Sequence, residues 1–368
     1  MACNPPSVQR ITGHNRAKPS IKRRSPVAAL IINFTIPMNT AQTCTIIAGP
    51  CSIDEHNINE VMALSQIEVT NMHGRHQQAI AGTRIVGLKS RTELMADPSN
   101  MGLDSLTLAA NMEILAQGGS NRDFQIAPSV TIAEEVVKKT GMIVATEVMM
   151  PSLQLPSYEK RVPRGKLMPW NPAVNQLGWQ IHEMALFAKR NGWHVGIKNG
   201  KWVGDELSRA DSDAYAGQTT MEKTWAGLKT YIGNTDGDVV LIHRGVDVHG
   251  KGSFRNYPVH TIALRTKLAT GAKLYFDPSH IYGPKLRDEI VAATVAAMRM
   301  KTGDGTFLYD GILIEVGTSK TDTQQHITLL ELDHLVKQLA TFRQLQTPDT
   351  NVQTEPVQRA QRYANRAA

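Results

Sequence analysis

The sequence predicts an α/β fold in which eight parallel strands alternate with helices and close into a (β/α)8 barrel. Short runs that are apolar on both faces, typical of buried parallel strands, recur between residues 43 and 314. Between them lie stretches with apolar residues three and four positions apart, as in the helices that connect parallel strands. Eight such units favour a closed barrel over an open sheet.

The predicted strands are Thr43–Ala48, Arg84–Leu88, Met142–Thr146, Lys166–Trp170, His194–Ile197, Val239–His243, Lys273–Phe276 and Gly311–Ile314. Helices are predicted over Ile58–Met72, Val130–Lys139, Thr219–Tyr231 and Val259–Leu268, with an inserted helix over Leu103–Ala116. Three apolar stripes predict further helices with buried faces, from Val174 to Ala188, from Leu286 to Met298 and from Ile327 to Leu339. A doubly wound sheet is the alternative, but no G-x-G-x-x-G follows the first strand.

The two ends of the chain differ from its middle in composition. Residues 1–40 are predicted to be a flexible basic extension, residues 41–343 the catalytic barrel, and residues 344–368 a flexible polar tail. Six of the 40 Lys and Arg residues lie before residue 39, where no Asp or Glu occurs. The remaining 34 nearly balance the 33 acidic residues, so the net charge of +7 belongs mainly to the extension. This argues against nucleic-acid binding by the barrel.

The cysteine count and hydropathy suggest where the protein works. Three cysteines, Cys3, Cys44 and Cys51, make a disulfide framework improbable and favour the reducing cytoplasm. The apolar segment Val27–Met38 follows basic residues, but the long stretch before it and the absence of a clear small-x-small site argue against a signal peptide. No run of ~18 apolar residues occurs, so no membrane partner is expected.

Polar residues follow the predicted strands, and in a barrel function sits at the carboxyl ends of strands. One set could bind a metal through sulfur, nitrogen and oxygen: Cys51, His280, Glu315 and Asp322. The other set is cationic and is suited to phosphate or carboxylate groups: Arg84, Lys89, Arg91, Lys198 and Arg244. A metal beside a cluster of cations favours the polarisation of a substrate carbonyl.

Six short motifs occur in a recognisable order: Gly49–Ile53, the Arg-x4-Lys-x-Arg-Thr segment from Arg84 to Thr92, Lys198–Gly200, Arg244-Gly245, Asp277–His280 and Ile314-Glu315. In this order the chain resembles the type I 3-deoxy-arabino-heptulosonate 7-phosphate (DAHP) synthases over roughly Thr43 to Leu339. These are metal-dependent TIM-barrel transferases that condense phosphoenolpyruvate with erythrose 4-phosphate. Their reaction opens the shikimate pathway of aromatic amino-acid biosynthesis.

The resemblance implies a role for each matched residue. Cys51, His280, Glu315 and Asp322 are the expected ligands of one divalent ion, which could be Mn, Fe, Co or Zn. Phosphoenolpyruvate is expected to contact Arg84, Lys89, Lys198 and Arg244, whereas Arg91 and Thr92 are expected to bind the aldose phosphate. The expected catalytic residues are Lys89 as proton donor, Glu147 as the group that positions water, and His280. Small-molecule substrates and a homo-oligomer are the expected partners.

The chain departs from the family pattern in three places. Ser90 replaces a proline, the Lys198 segment lacks the usual Thr-Asp, and Trp170–Ala173 lacks a phosphate-clamping arginine that Arg161 or Arg164 could supply. These changes leave two alternatives open: a sister synthase that makes 3-deoxy-manno-octulosonate 8-phosphate or a nonulosonate, and a non-catalytic barrel homologue. The glycine-rich segment 245–252 resembles a P-loop, but Gly252 stands where Ser or Thr is required. It is interpreted instead as a loop over the barrel mouth.

Overall fold

A computed structural model describes residues 42–89, 101–174, 176–203, 219–235 and 237–349. Its strands are β1 (Thr43–Gly49), β2 (Glu68–Thr70), β3 (His76–Gln78), β4 (Gly82–Arg84), β5 (Ile143–Glu147), β6 (Leu167–Trp170), β7 (Val195–Lys198), β8 (Val239–His243), β9 (Lys273–Phe276), β10 (Gly311–Glu315) and β11 (Gln344–Leu345). Its α-helices are α1 (Ile58–Ala63), α2 (Ser105–Ala116), α3 (Pro128–Thr140), α4 (Pro151–Arg161), α5 (Gly178–Asn191), α6 (Thr220–Ile232), α7 (His260–Thr270), α8 (Pro278–Tyr282), α9 (Ile290–Arg299) and α10 (Leu329–Ala340).

The sheet is a closed barrel of eight parallel strands. Strand β1 pairs with β4, each later strand from β4 to β10 pairs with the next, and β10 returns to β1. The closing register places Thr45 opposite Gly311 and Gly49 opposite Glu315. Helices lie between the strands, as parallel connections require. The (β/α)8 prediction is therefore confirmed.

The second barrel strand starts two residues and ends four residues earlier than predicted. The sequence favours Arg84–Leu88 because Ile85 and Val86 are apolar, but the strand is Gly82–Arg84. Gly82 allows close pairing here, because a Cβ atom would lie 2.8 Å from the carbonyl oxygen of Ile143. The correction places Arg84 at the carboxyl end of the strand, where a barrel positions functional residues.

Two connections differ from the prediction. The helix expected over Ile58–Met72 ends at Ala63, and after one 3-10 turn the chain forms the antiparallel β2–β3 hairpin. The β-branched residues Val69 and Thr70 favour this strand. The second difference is α4, which the sequence interpretation omits. Pro151 occupies the first turn of this helix, where a proline is tolerated, and Pro156 lies inside it.

Helix α5 also begins later than its apolar stripe suggests. Val174 and Leu177 precede the helix and are 62% and 50% exposed. The prediction that they belong to the core is therefore wrong. Ile181, Met184 and Ala188, further along the stripe, are buried. The stripe therefore marks the helix correctly only from its first full turn.

The core has two layers. Inside the barrel, a small apolar cluster is built around Trp170, which is fully buried at the end of β6. Between the strands and the helices lies a larger cluster that includes Trp193 and Trp225. Filling the interior with side chains makes the barrel a solid support, so that chemistry is confined to its rim.

The chain continues to contact the barrel beyond residue 343. Strand β11 pairs with the start of β1, and Thr45 donates a hydrogen bond to Gln346. Residues 344–349 of the predicted tail are therefore among those that the structure describes. The predicted basic extension at residues 1–40 lies outside the described residues. No helix in the described ranges combines the length and the apolar character that a membrane span requires.

Candidate active site

The carboxyl ends of the barrel strands form a single rim of charged side chains. Arg84, Glu147, Lys198 and Glu315 are the last residues of β4, β5, β7 and β10. Arg244 and Asp277 follow directly after β8 and β9, and Cys51 lies two residues after the end of β1. Since parallel strands in a barrel all end on the same side, these residues share one face of the fold.

A buried ion pair lies at the centre of this rim. The Nη2 atom of Arg84 donates to Glu315 Oε1 at 2.9 Å, and neither side chain is more than 2% exposed. Arg84 Nε donates to the carbonyl oxygen of Pro50, whereas its Nη1 has no hydrogen-bond partner among the described residues. Burying an ion pair costs several kcal/mol in lost hydration. An unpartnered donor on the same guanidinium is suited to an anion.

Cys51 is in contact with an ammonium and a carboxylate. Lys89 Nζ lies 3.0 Å from Cys51 Sγ and donates to the Cys51 carbonyl oxygen at 3.1 Å. On the other side, Cys51 Sγ lies 3.7 Å from Asp322 Oδ2. Burial, followed by the nearby Glu315 carboxylate, raises the pKa of the Cys51 thiol. Asp322 adopts a left-handed backbone conformation with φ of 55°, which orients the loop after β10.

His280 is oriented by a carboxylate. Its Nδ1 lies 3.0 Å from Asp277 Oδ1, and its Nε2 lies 3.9 Å from Glu315 Oε1. Asp277 is fully buried; burial disfavours its ionisation, but His280 and Lys198 outweigh burial and lower the pKa of its carboxyl group. A carboxylate behind an imidazole fixes the tautomer and directs the second nitrogen forward, an arrangement common behind metal-bound histidines.

A histidine that the sequence interpretation overlooks lies in the same cluster. His326 is buried, and its Nε2 lies 3.9 Å from Glu315 Oε2. Among the described residues, Cys51, Glu315 and His326 have potential ligand atoms that are all within 4.8 Å of one another. In the sequence, His326 is marked only by its position four residues after Asp322. This position does not distinguish His326 from a surface histidine.

The donor set fits a divalent ion. Sulfur, imidazole nitrogen and carboxylate oxygen meet in one buried place, and the buried Nε2 of His326 has no hydrogen-bond partner among the described residues. Such a mixed set is typical of Mn, Fe, Co and Zn sites. Cys51, Glu315, His280 and Asp322, which the sequence predicts as ligands, are all part of this cluster or in contact with it.

Cations converge beside the cluster. Lys198 Nζ lies 3.4 Å from Asp277 Oδ2, and both Lys198 and Arg84 face the Trp170 ring, at 5.4 and 5.5 Å from its centroid. Burial lowers the pKa of the Lys198 ammonium, because desolvation disfavours its charged form. The apolar Trp170 ring thus packs against the two cations Lys198 and Arg84.

Arg244 is a buried cation with no carboxylate hydrogen-bond partner among the described residues. Its Nη1 donates to the neutral amide of Asn256 at 3.0 Å, and its buried Nε has no partner within the described ranges. Burial lowers the pKa of the guanidinium to about 10. Its backbone is held by Asn199, which accepts from the Arg244 amide and donates to the Gly245 carbonyl. The position of Arg244 is therefore fixed, and its guanidinium is suited to an anion.

The remaining predicted residues differ in how far they can be placed. Glu147 is largely buried at the end of β5, where Gln154 donates to its backbone carbonyl. Arg91 and Thr92 lie outside the described residues. The segment 245–252 is followed by extended chain and turns until α7 begins at His260, so it lacks the helix start that a P-loop needs.

Neither suggested substitute for the missing clamp arginine reaches the site. Arg161 and Arg164 precede β6 and therefore lie at the amino-terminal end of the barrel, where Arg161 pairs with Glu134 and Arg164 donates to the Arg190 carbonyl. Within the segment Trp170–Ala173, which lacks the arginine, Asn171 accepts from the backbone amide of Lys198 at 2.9 Å. It supports β7 and adds no charge.

The architecture is shared with solved structures. One is a phospho-2-dehydro-3-deoxyheptonate aldolase (DAHP synthase) from Thermotoga maritima, with a TM-score of 0.55 and 19% identity over 81% of this chain and 68% of the other. The chain has the fold of the DAHP synthases. A truncated 3-deoxy-D-arabino-heptulosonate 7-phosphate synthase from the same organism gives a TM-score of 0.51 and 19% identity, over 81% of this chain and 86% of the other. No protein-family model and no curated protein matches the sequence.

Proposed function

We propose that this protein is a metal-dependent synthase that condenses phosphoenolpyruvate with erythrose 4-phosphate, giving DAHP and inorganic phosphate. The observation that carries the proposal is the pairing of two features at one barrel rim. The buried cations Arg84 and Lys198 lie against the Trp170 ring. Beside them, the Cys51 thiol, the Glu315 carboxylate and two imidazoles lie close together. The fold shared with DAHP synthases supports the same assignment. The enzyme is proposed to be a cytoplasmic homo-oligomer of the shikimate pathway.

Phosphoenolpyruvate is proposed to bind through the cations. It carries a phosphate and a carboxylate, and each requires charge-assisted hydrogen bonds in a buried site. Arg84 Nη1 has no hydrogen-bond partner and Arg244 has no carboxylate partner in the described parts of the chain. Lys198 forms an ion pair with Asp277. Together with Lys89 they neutralise the substrate and hold its C3 carbon towards the metal-ligand cluster.

The carbon–carbon bond forms when C3 of phosphoenolpyruvate attacks the aldehyde carbon of the aldose. Cys51, His280, Glu315 and Asp322 would hold a divalent ion, which would supply Lewis acidity towards the aldehyde oxygen. Lys89, whose ammonium contacts Cys51, donates the proton that the new hydroxyl needs. Glu147 positions the water that adds to C2, after which the C–O bond breaks and phosphate leaves.

The acceptor is proposed to lie on the outer side of the metal cluster. A cavity of about 310 Å³ opens there, lined in part by Ser52, Lys320 and Thr321. Ser52 and Thr321 adjoin Cys51 and Asp322 in sequence, and their hydroxyl oxygens are 3.1 Å apart. The cavity is also lined by Asp54 and Glu55, and Lys320 Nζ lies 3.5 Å from Glu55 Oε1. The hydroxyls can donate to a short sugar phosphate, whose charge Arg91 is proposed to neutralise, with Thr92 completing the subsite.

A panel of aldoses tests the acceptor assignment. We expect erythrose 4-phosphate to be preferred over arabinose 5-phosphate and over unphosphorylated sugars, measured as phosphate release with phosphoenolpyruvate. Arg91→Ala should raise the KM for erythrose 4-phosphate roughly 10- to 150-fold, the equivalent of ~1.5–3 kcal/mol for a charge-assisted contact, and leave the KM for phosphoenolpyruvate unchanged. Arg122→Ala is the control, since Arg122 is an exposed arginine in the loop after α2. A preference for arabinose 5-phosphate would replace the proposal with the sister-synthase reading.

A further inference from the structure

His326 is a buried histidine, and only one of its two ring nitrogens has a hydrogen-bond partner among the described residues. Its side chain is 1% exposed, and Nδ1 lies 2.8 Å from the carbonyl oxygen of Gly317. A carbonyl can only accept, so Nδ1 carries the proton and, in the neutral ring, Nε2 is a lone-pair acceptor. Nε2 has no hydrogen-bond partner among the described residues. Buried polar atoms without a partner are rare and call for an explanation.

The chain after β10 holds this ring in place. Ile327 forms a parallel bridge with Val316, so the segment folds back along the end of the strand. The Ile327 amide donates to the Glu315 carbonyl at 3.1 Å, and the Gly317 amide donates to the Ile327 carbonyl at 2.9 Å. His326 is therefore held against Glu315 by backbone hydrogen bonds, independently of its own side chain.

The groups that face Nε2 are themselves electron-pair donors. Glu315 Oε2 lies 3.9 Å away, beyond hydrogen-bond distance, and Cys51, Glu315 and His326 each have a potential ligand atom within 4.8 Å of the other two. Glu315 Oε2 accepts from Gln325 and keeps a second lone pair, while Oε1 accepts from Arg84. The imidazole nitrogen, the carboxylate oxygen and the sulfur are three electron-pair donors that lie close together. A cation bound between them would stabilise this arrangement.

We propose that His326 is a ligand of the divalent ion of the proposed synthase, in addition to His280. The two imidazoles approach Glu315 from opposite oxygens, His280 from Oε1 and His326 from Oε2, each at 3.9 Å. The resemblance to DAHP synthases assigns no role to this position, and the inference rests on the proposed function only for the presence of a metal. A site with one thiolate and two imidazoles favours Fe, Co or Zn over Mn.

Cobalt substitution provides a readout that does not depend on catalysis. The ring N–H proton of a histidine bound to Co²⁺ is shifted far from the ordinary proton NMR range, so each bound histidine gives one exchangeable signal. His280 and His326 both hold Nδ1 in a hydrogen bond, to Asp277 and Gly317, which protects the two protons from exchange. We expect two such signals in the full-length protein titrated with Co²⁺, and a single signal would overturn the proposal.

His326→Asn is the decisive variant, because the asparagine amide can replace Nδ1 in the bond to Gly317 but cannot reach the ion. We expect one signal to disappear and the affinity for Co²⁺ to fall at least about 100-fold, since groups that only orient a ligand already contribute 10- to 100-fold. His260→Asn is the matched control: His260 also uses Nδ1, in a hydrogen bond to Tyr309 at 2.7 Å, and lies outside the cluster.

Unchanged Co²⁺ affinity and two retained signals in His326→Asn would show that the proposal is wrong. Where that variant fails to fold, His326→Gln tests the same point, since it retains volume and should weaken Co²⁺ binding. The outcome is separable from the proposed function. Two signals in a protein that releases no phosphate from phosphoenolpyruvate and any aldose would support ligation by His326 and contradict the synthase assignment.

Discussion

Replacing Cys51 with serine should remove the metal and nearly all turnover. The thiolate is the only soft ligand in the described cluster, and it is buried against Lys89 and Asp322, so a hydroxyl cannot replace its charge. Lewis-acid stabilisation contributes several kcal/mol to a transition state, so we expect kcat/KM to fall by roughly 10³-fold or more. Metal content by elemental analysis and phosphate release by a coupled assay measure the two effects.

Cys44→Ser is the matched control for this experiment. Cys44 is equally buried in β1, and burial raises the pKa of its thiol to about 11, so it remains protonated and inert at neutral pH. Its replacement should change neither metal content nor turnover in the protein that folds. Retention of both metal and activity in Cys51→Ser would contradict the assignment of Cys51 as a ligand.

The second large effect is expected at Arg244. Its guanidinium is buried, its Nη1 contacts only the neutral side chain of Asn256, and its Nε is unpartnered among the described residues. A phosphate or carboxylate of the substrate would complete these bonds, and each charge-assisted bond contributes ~1.5–3 kcal/mol. Arg244→Ala should therefore lower kcat/KM for phosphoenolpyruvate about 10- to 150-fold or more.

The same variant should leave the acceptor largely unaffected. We expect the KM for erythrose 4-phosphate to change little in Arg244→Ala, and Arg244→Lys to recover part of the loss, because lysine keeps the charge without the planar fork. Arg161→Ala is the control, since Arg161 pairs with Glu134 at the opposite end of the barrel. Equal impairment towards both substrates would contradict separate subsites for phosphoenolpyruvate and aldose.

The fold was predictable because its signals are local and repeated. Strands β5, β8 and β9 are short apolar runs buried on both faces, and their observed bounds agree with the predicted ones to within one residue. Once eight such runs are placed in parallel, the position of the rim follows. That geometry explains why Lys198, Arg244 and Glu315 could be expected to lie together without knowledge of any contact.

The remainder depends on tertiary contacts that no local pattern encodes. The pairing of β4 with β1 and β5 covers Gly82, Thr83 and Arg84, whereas hydrophobicity alone extends the predicted strand from Arg84 to Leu88. Helix α4 forms despite Pro156 within it. His326 enters the cluster through the bridge between Val316 and Ile327, a pairing that no periodic pattern in this short segment marks.

In the proposed condensation, phosphoenolpyruvate loses phosphate by C–O cleavage at a metal-dependent site. The most direct measurement combines phosphoenolpyruvate labelled with ¹⁸O at the bridging oxygen, erythrose 4-phosphate and the protein loaded with a divalent metal. We expect a seven-carbon product and phosphate in equal amounts, with the label in the phosphate, and no product in excess chelator. Label retained in the organic product, or no phosphate release from any aldose, would contradict the proposed condensation.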